Sequence, residues 1–84
     1  MLIILSEIKE ERKRQDKKWG EQNHHPLIWN NILGEEYGEV CKATIEATEN
    51  DYSKYRKELV EVAAVAVAAI ESLDRGKWKE DERT

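Results

Sequence analysis

Two pairs of glutamates stand at helical spacing in otherwise apolar segments: Glu36 and Glu39 in LGEEYGEV, and Glu58 and Glu61 in KELVEVAAVAVAAI. Residues three apart lie on one face of a helix, so each segment offers two neighbouring carboxylates. Carboxylates set against apolar surface become protonated or acquire a partner, because burial disfavours their charged form. Oxygen-only ligation suits Mg²⁺ or Mn²⁺, and carboxylate pairs on facing helices build metal sites in bundles. We therefore predict a divalent-metal site at these four glutamates.

The alternative interpretation is four solvated glutamates that form ordinary ion pairs with Lys42, Arg56 and Lys57. We favour the metal site because both pairs intrude on the apolar faces of adjacent helices. A zinc site is not expected, since the adjacent residues His24 and His25 lack further histidine or cysteine ligands at a suitable spacing.

The elements that must position these residues are three helices. Proline and glycine mark their ends, since proline suits a first helical turn and glycine follows a last one. The predicted helices run from about residue 3 or 6 to 18, from 26 to about 48, and from a cap at Asn50 or Asp51 to 75. Gly76 is expected at positive φ. The chain is thus predicted to be a single all-α domain over residues 1–84, with 78–84 as a frayed tail.

The apolar faces of the second and third helices bear on assembly. On the second, a broad apolar face surrounds Glu36 and comprises Ile28, Trp29, Ile32, Leu33, Tyr37, Val40, Ala43 and Ala47. The third is apolar nearly all round from 59 to 70, which is typical of a helix buried on all sides. Two other helices from an 84-residue chain can hardly enclose it. We therefore predict an oligomeric helical bundle, a homodimer or homotetramer.

Charge and composition exclude several classes of function. The net charge of −4 gives no general reason to bind nucleic acid or an anionic membrane. The apolar runs are too short to cross a bilayer. Cys41 is the only cysteine, and it is expected to be a small buried apolar residue in a reducing compartment. The predicted protein is soluble and cytoplasmic.

In the order RQDKKWGEQNHHP, ILGEEYGEV and ELVEVAAVAVAAIESL, the sequence resembles the MazG-like all-α nucleoside triphosphate pyrophosphohydrolases. It is most similar to their small members, phage-type MazG-like proteins and dCTP pyrophosphatases, and the resemblance covers roughly residues 12–73. That family binds Mg²⁺ through E-x-x-E on one helix and E-x-x-D on the next. Glu36 to Glu39 matches the first motif. Glu58 to Glu61 matches the second, with Glu61 where the family usually has Asp.

The resemblance implies cleavage of a nucleoside triphosphate between its α- and β-phosphates, giving the monophosphate and pyrophosphate. It also implies that Trp19 and the step from His25 to Pro26 belong to the segment that contributes to the nucleotide pocket. Trp19 or Trp29 are candidates to stack on the base. The candidate phosphate-binding residues are Arg14 and Lys18, with Arg12 considered beside them, and Lys54, Arg56 and Lys57. Glu35 is a reserve candidate for the chemistry.

Other interpretations stay open at this point. The charged second half of the first helix is also typical of a solvated helix held by ion pairs between turns. The tryptophans suit core packing as well as base stacking. The chain as a whole also fits a helical oligomer of this fold with little or no turnover, or an enzyme similar to phosphoribosyl-ATP pyrophosphatase.

Overall fold

The computed structural model describes residues 1–81, with side chains described as far as Lys79. It contains three long helices and one short one: α1, Leu2–Trp19; α2, Pro26–Glu46; α3, Ser53–Arg75; and α4, Trp78–Asp81. No strand occurs in this part of the chain. The predicted all-α, three-helix chain is therefore confirmed. Among the described residues, no helix combines the length and apolar character that a bilayer crossing requires.

Local side-chain chemistry sets where α2 and α3 begin. At α2, Pro26 occupies the first turn and the Nδ1 of His25 accepts a hydrogen bond from the Leu27 amide at 3.0 Å. At α3, the Asp51 carboxylate accepts one from the Ser53 amide at 3.1 Å. Both contacts satisfy backbone N–H groups that have no partner within the helix. His25 thus caps α2, whereas the cap predicted at Asn50 or Asp51 lies one residue too early, since Tyr52 is the N-cap of α3 and Asp51 binds the first helical amide from the position before it.

Backbone conformation, rather than the spacing of apolar residues, determines where α2 and α3 end. Gly76 has φ 73° and its amide donates to the carbonyls of Ser72 and Leu73, as expected for a glycine after a helix. α2 ends at Glu46, two residues earlier than predicted, because Ala47 adopts an extended conformation. Glu49 and Asn50 then both have positive φ, which turns the chain into α3.

α3 is the central helix and packs against both α1 and α2. Trp29 near the start of α2 packs on Val65 and Ala68, whereas Glu36, farther along α2, meets Glu58 earlier on α3. Later residues of α2 therefore contact earlier residues of α3, so the two helices are antiparallel. The backbones of α1 and α2, both within the described part of the chain, do not contact each other.

Charged side chains attach much of α1 to α3. Near its start, Glu7 accepts two hydrogen bonds from the Arg56 guanidinium, at 2.7 and 3.2 Å. Farther on, Arg12 pairs with Glu71 at 2.7 Å. Both residue numbers rise together, so α1 and α3 run parallel. Arg12, considered for phosphate binding, is thus engaged in joining the helices.

Burial within a single protomer departs from the sequence-based expectation at Cys41. Cys41, expected to be buried, is exposed. Tyr37 and Ile28 of the α2 apolar face are also exposed, because that face is wider than the surface α3 covers. As predicted, the other two helices do not enclose α3, since Ile70 and Leu73 are each more than half exposed.

The start of the predicted frayed tail is helical. Residues 78–81 form the short helix α4, and the rest of that tail lies outside the described residues. The Trp78 ring lies edge-on to His25, with 5.3 Å between ring centroids. The start of the tail therefore contacts the beginning of α2.

Candidate metal centre and cleft

Three of the four predicted metal ligands come together between α2 and α3. Carboxylate oxygens of Glu36, Glu58 and Glu61 all lie within 4.8 Å of one another. Glu58 is buried and the other two are half-buried. Within residues 1–79, no lysine or arginine forms an ion pair with any of them. This acidic cluster therefore lacks the cationic partner that an ordinary surface carboxylate has.

The electrostatics of the acidic cluster appear in the pKa of Glu61. Burial raises that pKa to about 7, helped by a hydrogen bond with Glu58 and by the negative charges of Glu58 and Glu11. The charge of Lys57 acts in the opposite direction. Near neutral pH, Glu61 without a bound cation is thus partly protonated.

The pKa of Glu36 is raised as well. Burial raises its pKa above the usual range, followed by the charges of Glu58, Glu39, Glu11 and Glu35. A bound cation would reverse this effect, because an opposite charge favours the ionised carboxylate.

Glu39, the fourth predicted ligand, is exposed and is not part of the acidic cluster, although its charge acts on Glu36. Glu35, the reserve candidate, is also exposed and lies beside Glu36 on the cleft described below. The two pairs predicted from the sequence therefore contribute unequally: the α3 pair converges fully, and the α2 pair supplies one residue.

Glu11 of α1 is a residue that sequence reasoning missed. Its side chain is only 15% exposed. Its charge raises the pKa of both Glu36 and Glu61, which places it near the acidic cluster. A signal was present, since Glu7, Glu11 and Gln15 form a stripe at four-residue spacing on α1. Charges on every face of this helix concealed it.

A cleft of about 970 Å³ opens beside the acidic cluster, between α1 and α2 and over α3. α3 separates the two outer helices, which leaves the space between them open. Glu11, Glu36 and Glu61 line this cleft, and Trp29, Ile32 and Val65 form an apolar part of its wall. A volume of this size is in the range of small-molecule sites.

Four of the five predicted phosphate-binding residues line the cleft: Arg14, Lys18, Arg56 and Lys57. Two of them already have protein partners, since Arg14 pairs with Glu11 at 2.7 Å and Arg56 is held by Glu7. Lys54 does not line the cleft and lies 3.9 Å from Glu46. The cleft therefore combines acidic and basic groups.

The aromatic candidates have different positions. Trp19 lines the cleft and is exposed, with the Lys18 ammonium 4.6 Å from its ring centroid. Trp29 lines the cleft and is buried against α3, so it packs in the core and also borders the site. His25 is not among the lining residues, because its ring caps α2.

The arrangement can do two things chemically. Its clustered oxygen ligands suit a hard divalent cation, and its basic rim suits an anion such as a phosphate chain. No protein-family model, curated protein or solved structure matches the chain. The resemblance described above therefore stays a prediction that depends on the motifs alone.

Proposed function

We propose that this protein is a Mg²⁺-dependent nucleotide pyrophosphohydrolase, which converts a nucleoside triphosphate into the monophosphate and pyrophosphate. The observation that carries the proposal is the acidic cluster, in which three carboxylates converge and none forms an ion pair with a lysine or arginine among the described residues. The motifs around Glu36 and Glu58 and the basic rim of the cleft support the same interpretation.

In this proposal Glu36, Glu58 and Glu61 hold the metal, Mg²⁺ or Mn²⁺, and Glu39 is the fourth ligand that the resemblance implies. When bound, the cation offsets negative charge on the phosphate oxygens and lowers the pKa of a coordinated water. Glu35 lines the cleft beside Glu36 and is the candidate base for the attacking water.

The phosphate chain would bind between the acidic cluster and the basic residues of the rim. Arg56 and Lys57 are consecutive at the start of α3, where the helix dipole also favours an anion. Arg14 and Lys18 face the same cleft from α1. The two sets of cations thus approach a bound triphosphate from two helices.

The direct test is pyrophosphate release from a panel of ribo- and deoxyribonucleoside triphosphates with Mg²⁺. We expect turnover that stops with EDTA and returns with excess Mg²⁺ or Mn²⁺, since the carboxylates alone cannot neutralise the phosphates. A folded protein that releases no pyrophosphate from any nucleotide with either metal would overturn the enzyme proposal. It would favour the interpretation as a helical oligomer without turnover.

We also propose that the functional form is a homo-oligomer. The pairing of Glu7 with Arg56, and the antiparallel packing of α2, place the start of α1, the end of α2 and the start of α3 at one end of the bundle. That end carries exposed apolar side chains, among them Leu2, Ile3 and Ile45, each at least 75% exposed. A second copy is the occupant we expect, since small domains with limited cores often gain stability by association.

Light scattering after size exclusion tests this proposal on the intact chain of 9.8 kDa per protomer. We expect the mass of a dimer or tetramer, and a shift toward the monomer in Ile3→Glu and Ile45→Glu, because each buries a charge in the apolar contact. Lys13→Glu, on the exposed middle of α1, is the matched control and should leave the mass unchanged. A wild-type monomer at about 100 µM protein, where weak complexes of this class form, would contradict the proposal.

A further inference from the structure

The cleft has two levels that lie one helical turn apart on every helix. The acidic level contains Glu11, Glu36 and Glu61. The second level contains the residues four positions away, which are Gln15 on α1, Ile32 on α2 and Val65 on α3. Four residues of α-helix span about 6 Å, so the second level begins about 6 Å from the carboxylates. If the phosphates bind between the acidic level and Arg56 and Lys57 at the start of α3, the nucleoside reaches the second level.

Gln15 is the polar group that α1 supplies to the second level, and it is the one residue of that helix that is buried. Its Oε1 accepts a hydrogen bond from the Nη1 of Arg12 at 3.1 Å. Arg12 is held in turn by Glu71 at 2.7 Å and by Asp16 at 2.9 Å. The carboxamide is therefore held in place through a fixed guanidinium.

This contact decides which end of the carboxamide a ligand can meet. A guanidinium is only a donor, so the oxygen of Gln15 must face Arg12. The Nε2 group is left over, and among residues 1–79 it has no hydrogen-bond acceptor. Gln15 therefore offers a ligand in the cleft a donor.

A second observation points the same way. Trp29 also lines the cleft, is 5% exposed, and its indole N–H finds no acceptor in the described part of the chain. The remaining amide on this wall, Gln22, is engaged with the His24 ring at 3.2 Å. The Trp29 N–H is thus a buried donor without an acceptor, and buried donors normally have one. The Gln15 amide also has no acceptor among the described residues, but it is not fully enclosed and is open to the cleft.

We infer that the Gln15 amide is a specificity determinant that donates a hydrogen bond to an oxo group of the nucleobase. The inference deepens the proposed function and rests on it. Uracil and thymine carry an oxo group at the position where cytosine carries an amino group. Hypoxanthine and guanine likewise carry an oxo group at the position where adenine carries an amino group. An amino group would place donor against donor and leave both unsatisfied, which buried sites reject strongly. The favoured substrates are therefore oxo-bearing nucleotides.

Two matched substrate pairs test this inference, dUTP against dCTP and ITP against ATP, because each exchanges an oxo for an amino group. We expect kcat/KM to favour the oxo member by roughly 10- to 100-fold, the usual effect of one mispaired buried donor. Equilibrium binding of the α,β-imido analogues with Mg²⁺ should show the same preference without turnover.

Two variants separate the contact from general packing. Gln15→Leu keeps the volume and should bring both ratios close to one. Gln15→Glu keeps an oxygen for Arg12 and presents a second acceptor in place of the amide, so the preference should move toward dCTP and ATP. Asn31→Asp makes the same change of amide to acid at an exposed site on α2 away from the cleft, and it should leave both ratios unchanged.

The outcomes distinguish the two proposals. If the wild type binds none of the four nucleotide analogues in Mg²⁺, the proposed function fails and this inference fails with it. If it binds or cleaves them with equal preference, or prefers the amino members, the role of Gln15 is wrong while the function stands. An oxo preference that survives in folded Gln15→Leu also overturns that role. Where a variant does not fold, the wild-type ratios decide.

Discussion

Replacing Glu36 with glutamine is expected to lower kcat by on the order of 10³-fold, because it removes one oxygen ligand charge from the acidic cluster. Glutamine keeps the size of the side chain, so the helix packing should survive. Glu36 is the residue through which α2 joins the carboxylates of α3. Its loss therefore separates the two halves of the site, and Mg²⁺ affinity should fall together with the rate.

The same substitution is expected to stabilise the metal-free protein, because it removes a charge that burial disfavours and that Glu58 and Glu11 repel. Since Glu36 is partly solvated, we expect a gain of only about 1 kcal/mol. Thermal unfolding in EDTA measures this, and a Mg²⁺ titration measures affinity. Glu46→Gln is the control. Glu46 lies on α2, is exposed and is 3.9 Å from the Lys54 ammonium. It should retain wild-type turnover. Full activity in Glu36→Gln would mean that the metal site is assigned wrongly.

The helices were predictable because their signals are local. Pro26 begins α2 and Gly76 follows α3, and both act through their own backbone geometry rather than through distant contacts. The end of α2 was harder, because the apolar spacing continues to Ala47 while the chain turns extended there. The burial of Cys41 was predicted wrongly, because the expectation came from the residue type and Cys41 lies outside the apolar face of α2.

The acidic cluster was predictable in part, for a reason visible in its geometry. Glu58 and Glu61 share one helix face, and their spacing alone brings them together. Their meeting with Glu36 required only that α2 and α3 pack antiparallel. Glu11 and Gln15 share a stripe with Glu7, but that stripe alone does not show which face of a highly charged helix turns inward. The ion pairs of Arg12 and Arg56 with partners on another helix settle that choice.

The metal-free protein should lose stability as the pH rises from about 4.5 to about 7, the interval between the ordinary pKa of a glutamate and that of Glu61 in the fold. The sign follows from proton binding: the folded state holds a proton on Glu61 that the unfolded state releases. This contribution is complete at lower pH, is lost across the interval and stays lost above it. Because Glu61 is partly solvated, we expect a loss of about 1–2 kcal/mol. Glu36, whose pKa is also raised, acts in the same direction.

Urea unfolding in EDTA at pH 5 and pH 8 measures this loss, and Glu61→Gln isolates it. The variant should be less sensitive to pH than the wild type, because glutamine does not titrate. It should also be more stable than the wild type at pH 8, because glutamine carries no charge for burial and Glu58 to disfavour. Mg²⁺ should restore wild-type stability at pH 8 and have little effect at pH 5, where protons compete for the ligands. An identical pH dependence in wild type and variant would show that Glu61 is ionised throughout. In that case repulsion among the carboxylates would not destabilise the metal-free protein. It could then not explain why the acidic cluster binds a cation.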